Sequence, residues 1–530
     1  MSDAVQPSPV PPDADATPPI FGNARSAMAI VFVVVVIDLL GFGIVLPLLP
    51  RYGEAYVGQL LFSDQQAVAA EAVLTAGAAD GQGPWASLAV LTADVTRRQG
   101  WFERLILGGG VGLLMASFSL MQFVFAPIWG RVSDRVGRRP ILLLGLGGSV
   151  VFYALFGFAS DLPPVQWAGV ALALLFLARI GAGVAGATIS TAQAVIADCT
   201  TPEKRKHGMA LIGAAFGVGF TLGPIIASLA LIALPGWHGV VGYIAAGLSL
   251  AALGLGLARL PETRRFGAPI LDRKWIDFQA AGAALRSSAV GPVILAFFLA
   301  TLGFGGFEAT LSLLNKDALG LTDAQNGGLF TYVGFVLVLA QGGLYRPLAK
   351  RLHEPALMAA GMVLMGLGVA SLGGVTYMAM VQGLGFGWSL AWVMVSLTFA
   401  VVGFALLTPS AQALISRRSD PEKQGEILGV NQSASALARI LGPIIGVGLF
   451  FATPAHLLPY GFGGGLALLM LLLIPRIRRG ELAAHVHAAP PPATTEARDL
   501  IDRLAAEGAA PVGPEEQVRR GIDEVRRPGG

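Results

Sequence analysis

The chain is built from apolar runs of roughly 20 residues, each long enough to cross a hydrocarbon layer of about 30 Å as a helix. Inside such a layer a backbone finds no water, so a run of this length has to satisfy its own N–H and C=O groups as a helix. Twelve runs fit, at roughly 27–49, 105–128, 141–160, 165–187, 208–233, 238–259, 290–313, 327–346, 356–375, 387–409, 427–451 and 457–475. The apolar stretch 376–408 is too long for one simple span, which leaves its first boundary open. Apolar residues make up 54% of the chain and charged residues 13%, about half the charged share of a soluble domain. Several soluble domains are thereby excluded, and an all-α integral membrane protein is expected.

One passage is written twice, AQAVIADCTTPEKRKHGMALIGAAFGVGFTLGPII at 192–226 and AQALISRRSDPEKQGEILGVNQSASALARILGPII at 411–445. Ala192 and Ala411, Pro202 and Pro421, and Gly223 and Gly442 are each 219 positions apart. A repeat of this kind in a hydrophobic chain points to two pseudo-symmetric six-helix bundles with a site between them, the plan of a transporter. The expected layout is a cytoplasmic tail at 1–26, a first bundle at 27–259, a linker at 260–289, a second bundle at 290–476 and a tail at 477–530.

The basic residues decide orientation. Arg131, Arg135, Arg138, Arg139, Lys204, Arg205, Lys206, Arg264, Arg265, Arg346, Lys350, Arg351, Arg417 and Arg418 fall at one face, and Arg51, Arg97, Arg98, Arg104 and Lys316 at the other. The richer face reads as cytoplasmic, so both termini are expected inside the cell inner (cytoplasmic) membrane. The basic balance is therefore topology, and no nucleic-acid partner is expected. Residues 51–104 read as an outer insertion without direct chemistry, with a cap over the cavity as the alternative. The 260–289 link reads either as an amphipathic helix on the inner face or as a solvated connector. A short helix fits 494–507. The single cysteine, Cys199, excludes an internal disulfide.

Between the second and third runs lies GRVSDRVGRRP, residues 130–140. A loop this short must turn at once, which accounts for Gly130 and Gly137. Asp134 can pair with Arg135, Arg138 or Arg139, and the whole could equally be a topology anchor. The loop resembles the signature of the major facilitator superfamily, G-x-L-x-D-R-x-G-R-R/K, with Val132 in place of Leu. Gly219, Gly223 and Pro224 resemble the fifth-span motif of the drug/proton antiporters of that superfamily. IDLLGFGIVLPLLP at 37–50 and LARIGAGVAGATIS at 177–190 resemble its first- and fourth-span motifs. The likeness to tetracycline/proton antiporters is close around 118–228, yet their third-span aspartate is replaced by Phe152, so tetracycline is not carried over as the solute. The matching second-half loop, 342–354, lacks the Asp-Arg pair. The resemblance implies that Asp134, Arg138 and Asp198 stabilise one of two access states.

Four charges fall inside predicted spans: Asp38, Arg179, Glu308 and Arg439. An ionisable group at mid-bilayer costs about 2.5–3.5 kcal/mol on insertion scales, so it signals a pair, a cavity or a function. Asp38 is either a packing partner of Arg179 or a proton-binding carboxylate. Glu308 reads as a solvated carboxylate or a second proton site, and Arg439 as an anion holder or a partner for Glu308. Gln122, Gln341, Asn431 and Gln432 are candidate cavity groups. The Gly-Pro elements Gly223-Pro224 and Gly442-Pro443 are expected to allow tight packing and bending where the halves meet. Gly181, Gly183 and Gly186 spell G-x-G-x-x-G inside a span, where helix packing explains them. No metal, cofactor or catalytic motif is expected.

These features read as a monomeric secondary transporter exchanging protons for a small, largely apolar solute across the bilayer. A proton-symport or uniport importer of a metabolite, and a transporter-shaped receptor or scaffold, are the alternatives.

Overall fold

A computed structural model describes residues 24–61, 101–200, 202–264, 278–380, 382–419, 424–453 and 455–487. The chain divides into Met1–Ile477 and Arg478–Gly530, and every contact below lies within the first unit. Among the described residues the regular structure is helical. Span 1 is Ala24–Val45, span 2 Trp101–Val136, span 3 Arg138–Asp161 and span 4 Pro164–Ala185. Span 5 is Pro202–Ala233, span 6 Val240–Arg259, span 7 Gly291–Leu319 and span 8 Asp323–Leu339. Spans 9 to 12 are Glu354–Met380, Phe386–Arg418, Gln424–Ala452 and Leu458–His487. Eleven of these helices are long and apolar enough to cross a membrane over their described residues, and span 5 contributes the apolar segment Gly217–Ala233. The twelve-span reading holds, with helices that run past the apolar runs at their polar ends.

Local breaks have local causes. Pro47 cannot donate a backbone N–H, so span 1 ends in a turn at 46–48 and a further helix starts at residue 49. Span 4 tightens into a 3-10 turn at Gly186–Thr188 before resuming as Ile189–Asp198. Span 8 passes through a π-helical segment, Ala340–Tyr345, into Arg346–Ala349. The long apolar stretch 376–408 resolves into two helices separated before Phe386, with Gly383 at φ 70°. Within the linker, Phe278–Arg286 is helical. The tail helix expected at 494–507, and residues 62–100 of the outer insertion, lie outside the described residues.

The repeat is a packing device. A methyl on Gly43 would lie 2.4 Å from the Gly219 carbonyl oxygen, and one on Gly223 would lie 2.6 Å from the Gly43 carbonyl carbon. Spans 1 and 5 therefore cross at backbone contact. In the second half a methyl on Gly446 would lie 2.6 Å from the Gly306 oxygen, and one on Gly442 2.9 Å from the Leu302 oxygen. Spans 7 and 11 cross in the same way. The Gly-Pro pairs were expected where the halves meet, and the structure divides that role between the two residues. The glycines pack inside their own half, while the proline carbonyls face the other. Methyls on Gly112 and Gly327 would lie 3.0 Å from Pro443 O and 3.2 Å from Pro224 O, respectively. Pro224 and Pro443 both sit inside continuous helices.

Two seams join the halves, span 2 on span 11 and span 5 on span 8. Gly108 and Gly112 meet Val447–Gly448 and Pro443–Ile444, and Gly327 and Gly334 meet Pro224–Ser228 and Phe220–Thr221. All of these contacts lie toward one end of the bundle. There a two-rung polar clasp reinforces them. On the first rung Arg51 Nη1 pairs with Asp323 at 2.7 Å and Arg51 Nε donates to Ser312 O at 3.1 Å. On the second, Asn326 Nδ2 donates to Pro47 O at 3.0 Å and Asn315 Nδ2 to Asn326 Oδ1 at 2.8 Å. Lys316 and Glu54 add a pair at 2.7 Å near the surface. His456 lies 3.5 Å from Asp317 and stacks on Phe450; burial holds its imidazole below the usual range, so this contact is made by a neutral ring at pH 7. The start of the outer insertion, read as without direct chemistry, supplies Arg51 and Glu54 to the contact between halves.

Candidate functional site

The seams part at a definite level. On span 11, Gln432, Arg439 and Pro443 share a stripe; Pro443 meets span 2, whereas Arg439 and Gln432 are exposed. On span 8, Gly327, Gly334 and Gln341 recur every seven residues along one stripe. The first two meet span 5, and Gln341 is exposed. Below Pro443 and Gly334 polar side chains on both stripes are exposed, and across the second seam the contact thins to Val338 against Gly217, 3.9 Å from where a methyl there would stand. The exposed stripes mark a space between the halves on the side away from the Arg51 clasp.

Asp38 sits on span 1 about one turn below the Gly43 crossing, at that level. Ser149 of span 3 donates to Asp38 Oδ1 at 3.0 Å. Asp38 Oδ2 lies 3.6 Å from where a methyl on Gly186 would stand, beside Gln122 Nε2 at 3.4 Å and the Phe118 ring at 3.5 Å. Gln122 donates to Gly186 O at 3.1 Å, Trp129 to Val184 O at 2.8 Å and Ser190 to Ala126 O at 2.9 Å. Span 2 thus grips the break in span 4 and brings the bare Gly186 backbone against the carboxylate. The Asp38–Arg179 pair, one of the two readings of Asp38, is not formed. Arg179 is only 2% exposed and lies on the Phe118 ring, 4.6 Å from its centroid and 5.8 Å from that of Phe42. Its Nε and Nη1 have no hydrogen-bond partner. Serine has taken the acid and aromatic faces have taken the cation, a contact worth about 0.5–2 kcal/mol. Tyr153, on span 3 one turn past Ser149, packs on Gly41.

Phe152, at the position where an aspartate was the family expectation, fills the notch over Gly181, where a methyl would stand 2.1 Å from its ring. A methyl on Gly183 would stand 2.5 Å from Phe118 O. The G-x-G-x-x-G spacing is helix packing, as read from its context.

The second half distributes its charges differently. Arg439 Nη1 donates to Ser435 Oγ at 3.2 Å, and this is its partner among the described residues. Glu308 is not paired with it. Gly306 crosses span 11 at Gly442–Gly446, so in these parallel helices Glu308 stands about two turns nearer the clasp than Arg439. Asn431 is 3% exposed, its Oδ1 without a partner, and so lies beside the helix contact rather than in the space. Gln432, one residue on, is open. Phe304 and Phe404 stack at 4.0 Å, and Tyr332 bonds Thr398 at 2.6 Å.

At the far end, the 130–140 signature is mostly helix. Span 2 runs to Val136, Gly137 alone makes the turn at φ 120°, and span 3 starts at Arg138. Gly130, expected to turn, is helical beside Ser190. Arg138 pairs with Asp134 at 2.5 Å and with Asp198 at 3.2 Å, and donates to Ser133 Oγ at 2.7 Å. Thr263 donates to Asp198 at 3.4 Å. Arg135 is exposed, and its carbonyl accepts from Arg264. Arg139 donates to Leu257 O at 2.7 Å.

Glu262 was not singled out from the sequence. Its carboxylate accepts from the backbone N–H groups of Arg138 at 2.8 Å, Arg139 at 3.1 Å and Arg264 at 2.9 Å. It holds the positive N-terminus of span 3, and a methyl on Gly137 would strike it at 2.4 Å. The available signal was the acidic residue in Pro261-Glu262-Thr263 directly after span 6. Cys199, in the same region, is buried, and desolvation followed by the Asp198 charge pushes its thiol up. In the second-half loop Glu354 pairs with Arg417 at 2.7 Å. Arg346, Lys350 and Arg351 are exposed and make no ion pair among the described residues.

The comparisons agree with this architecture. The chain is 27% identical over 472 residues to human major facilitator superfamily domain-containing protein 10, covering 86% of this chain and 93% of that protein. It is 31% identical over 384 residues to the class C tetracycline resistance protein of Escherichia coli, covering 70% and 87%. The crystal structure of the human organic anion transporter MFSD10 (TETRAN) superposes with a TM-score of 0.53 at 26% identity, covering 86% of this chain and all of that one. The model of the Major Facilitator Superfamily matches residues 31–443, and the chain belongs to that superfamily of membrane transporters.

Proposed function

We propose that the chain is a proton-coupled exporter that exchanges protons for small, largely apolar organic solutes by alternating access. The observation that carries this reading is Asp38, an intramembrane carboxylate held by one serine at the level where the halves part, with the nearest buried cation turned away onto an aromatic ring. A carboxylate in that position is charged when it meets Arg179 or water and neutral when it is sealed from both. Alternation between two access states changes both conditions, so the group takes up a proton on one side and releases it on the other. Glu308, level with the seam, is a secondary candidate.

The Asp134 end and both termini face the cytoplasm from a cell inner membrane, a reading supported by the excess of basic residues at that face. The state described here is then closed outward by the Arg51 clasp and open inward. The Asp134–Arg138–Asp198 network, with Glu262 beneath it, biases the balance between access states. The protein acts as a monomer on its solute. The resistance proteins among its relatives and the organic anion transporter support a solute of drug-like size.

The test is uphill transport in everted vesicles energised by a proton gradient, run with aromatic organic acids and tetracycline-type compounds. Asp38→Asn is expected to retain downhill exchange of a solute and to lose its accumulation against a gradient. Accumulation that survives in Asp38→Asn places the proton elsewhere.

A further inference from the structure

The depth of Arg439 can be read from the seam. Gly112 meets Pro443–Ile444 and Gly108 meets Val447–Gly448, which fixes an antiparallel register between spans 2 and 11. Continued by one turn, that register sets Arg439 level with Ala116 and Ser117, within a turn of Phe118. Phe118 is the ring beneath Arg179 and beside the Gly186–Asp38 contact. Asp38 and Arg439 therefore stand at one depth, on opposite halves.

Among the described residues neither has an opposite charge in contact. Asp38 has Ser149, and Arg439 has Ser435, one turn away on its own helix. With Nη1 engaged, the exposed Arg439 keeps further guanidinium N–H groups for a ligand, in the forked geometry that suits a carboxylate. Gln432, on the same stripe, is open below it. Arg179 cannot serve in its place, because its guanidinium is closed over by Phe42 and Phe118.

We propose that the space takes an amphoteric aromatic solute, whose acidic group is received by Arg439 and whose protonated amine is received by Asp38. The Phe42 and Phe118 rings, 4.9 Å apart, supply apolar contact beside the acid. This rests on the reading that the space between the halves holds the solute, and it fixes the sign of coupling. An amine and a proton compete for one carboxylate, so binding of either expels the other. A solute carrying the acid alone leaves the Asp38 proton in place.

The experiment uses the purified full-length chain in lipid nanodiscs. The probes are benzene, naphthalene and quinoline scaffolds, each prepared as the amino acid, the acid alone and the amine alone, with affinity read by calorimetry at pH 7.5. On at least one scaffold the amphoteric form is expected to bind at least tenfold more tightly than either single-charge form. Arg439→Gln should weaken the amphoteric form and the acid at least tenfold and leave the amine unchanged, with Arg439→Lys in between. Asp38→Asn should weaken the amphoteric form and the amine and leave the acid unchanged. Unliganded melting temperatures identify any variant that fails to fold, in which case the wild-type ranking of the three forms decides. Absence of amphoteric preference on every scaffold, absence of binding, or equal loss of acid and amine in Arg439→Gln would each overturn the assignment. The outcome is separate from the coupling test, since selective binding without uphill transport sinks the proton mechanism and leaves this assignment standing.

Discussion

The crossing of spans 1 and 5 at Gly43, Gly219 and Gly223 has a counterpart in the crossing of spans 7 and 11 at Gly306, Gly442 and Gly446. Around these matched crossings the charges diverge. In the first half Asp38 is tied to Ser149 and Arg179 is sealed beneath aromatic rings. In the second, Arg439 stands open and Glu308 lies level with the seam. The difference extends to the loops, where Asp134, Arg138, Asp198 and Glu262 interlock in one half and the counterpart has a single Glu354–Arg417 pair. A backbone repeat conserves the geometry of motion, since helix crossings must match if the halves are to rock. Nothing in that requirement makes the charges match. The first half carries groups suited to switching, and the second a group suited to holding.

If that division is right, Arg179→Ala should be the most damaging change, lowering proton-driven accumulation about 100-fold and also lowering stability. The loss of accumulation corresponds to about 2.7 kcal/mol. Arg439→Ala should change the unfolding free energy of the empty protein by no more than the about 0.5 kcal/mol seen at open sites. Equal destabilisation by the two changes would erase the distinction between a sealed and an open cation.

Next in size is the clasp. Arg51→Ala removes a buried ion pair and the hydrogen bond to Ser312, leaving Asp323 half-buried and without its partner. Breaking one side of such a pair costs about 3–5 kcal/mol when fully buried and less at this partly exposed site. The clasped state should lose population at least tenfold. Faster labelling of a cysteine placed at Ser228, partly buried against Gly327 across the seam, would report it, and unchanged labelling would show that the glycine seams alone close this end.

Asp134→Asn is expected to lower turnover about tenfold, about 1.4 kcal/mol, with little change in solute affinity, because it removes one of two acids from Arg138 at a distance from the space. Neutralising Arg346, Lys350 and Arg351 singly should change turnover less than about twofold, as for exposed charges elsewhere. A second-half loop as sensitive as the first would show a symmetric switch.

Much of this scaffold is legible in the sequence. Run length gives the spans, and the 219-residue offset gives the halves. Glycines at helical spacing give the crossings, since only a missing side chain allows such an approach. The partners of the charges are not legible in the same way. Asp38 and Arg179 both fall inside spans and suggest a pair, yet the choice between serine, guanidinium and aromatic ring depends on side-chain directions that spacing does not encode. Asn431 and Gln432 are adjacent and polar, and only the helix orientation separates a packed amide from an open one. Arg51, Asp323 and Asn326 were passed over because each sits at an ordinary polar helix end. Their joint meaning appears when residues more than 270 positions apart meet.

The central claim is that the protonation of Asp38 sets which end of the molecule is open, and it can be tested without knowing the solute. Spin labels on cysteines placed at Ala55 and Gly328, in a Cys199→Ser background, report the distance across the clasp by pulsed electron resonance in nanodiscs. Between pH 8 and pH 5 the wild type is expected to shift population between a short and a long distance. Asp38→Asn should hold one fixed distribution throughout, matching the wild type at the acidic limit. A pH-driven shift that persists unchanged in Asp38→Asn would contradict the account.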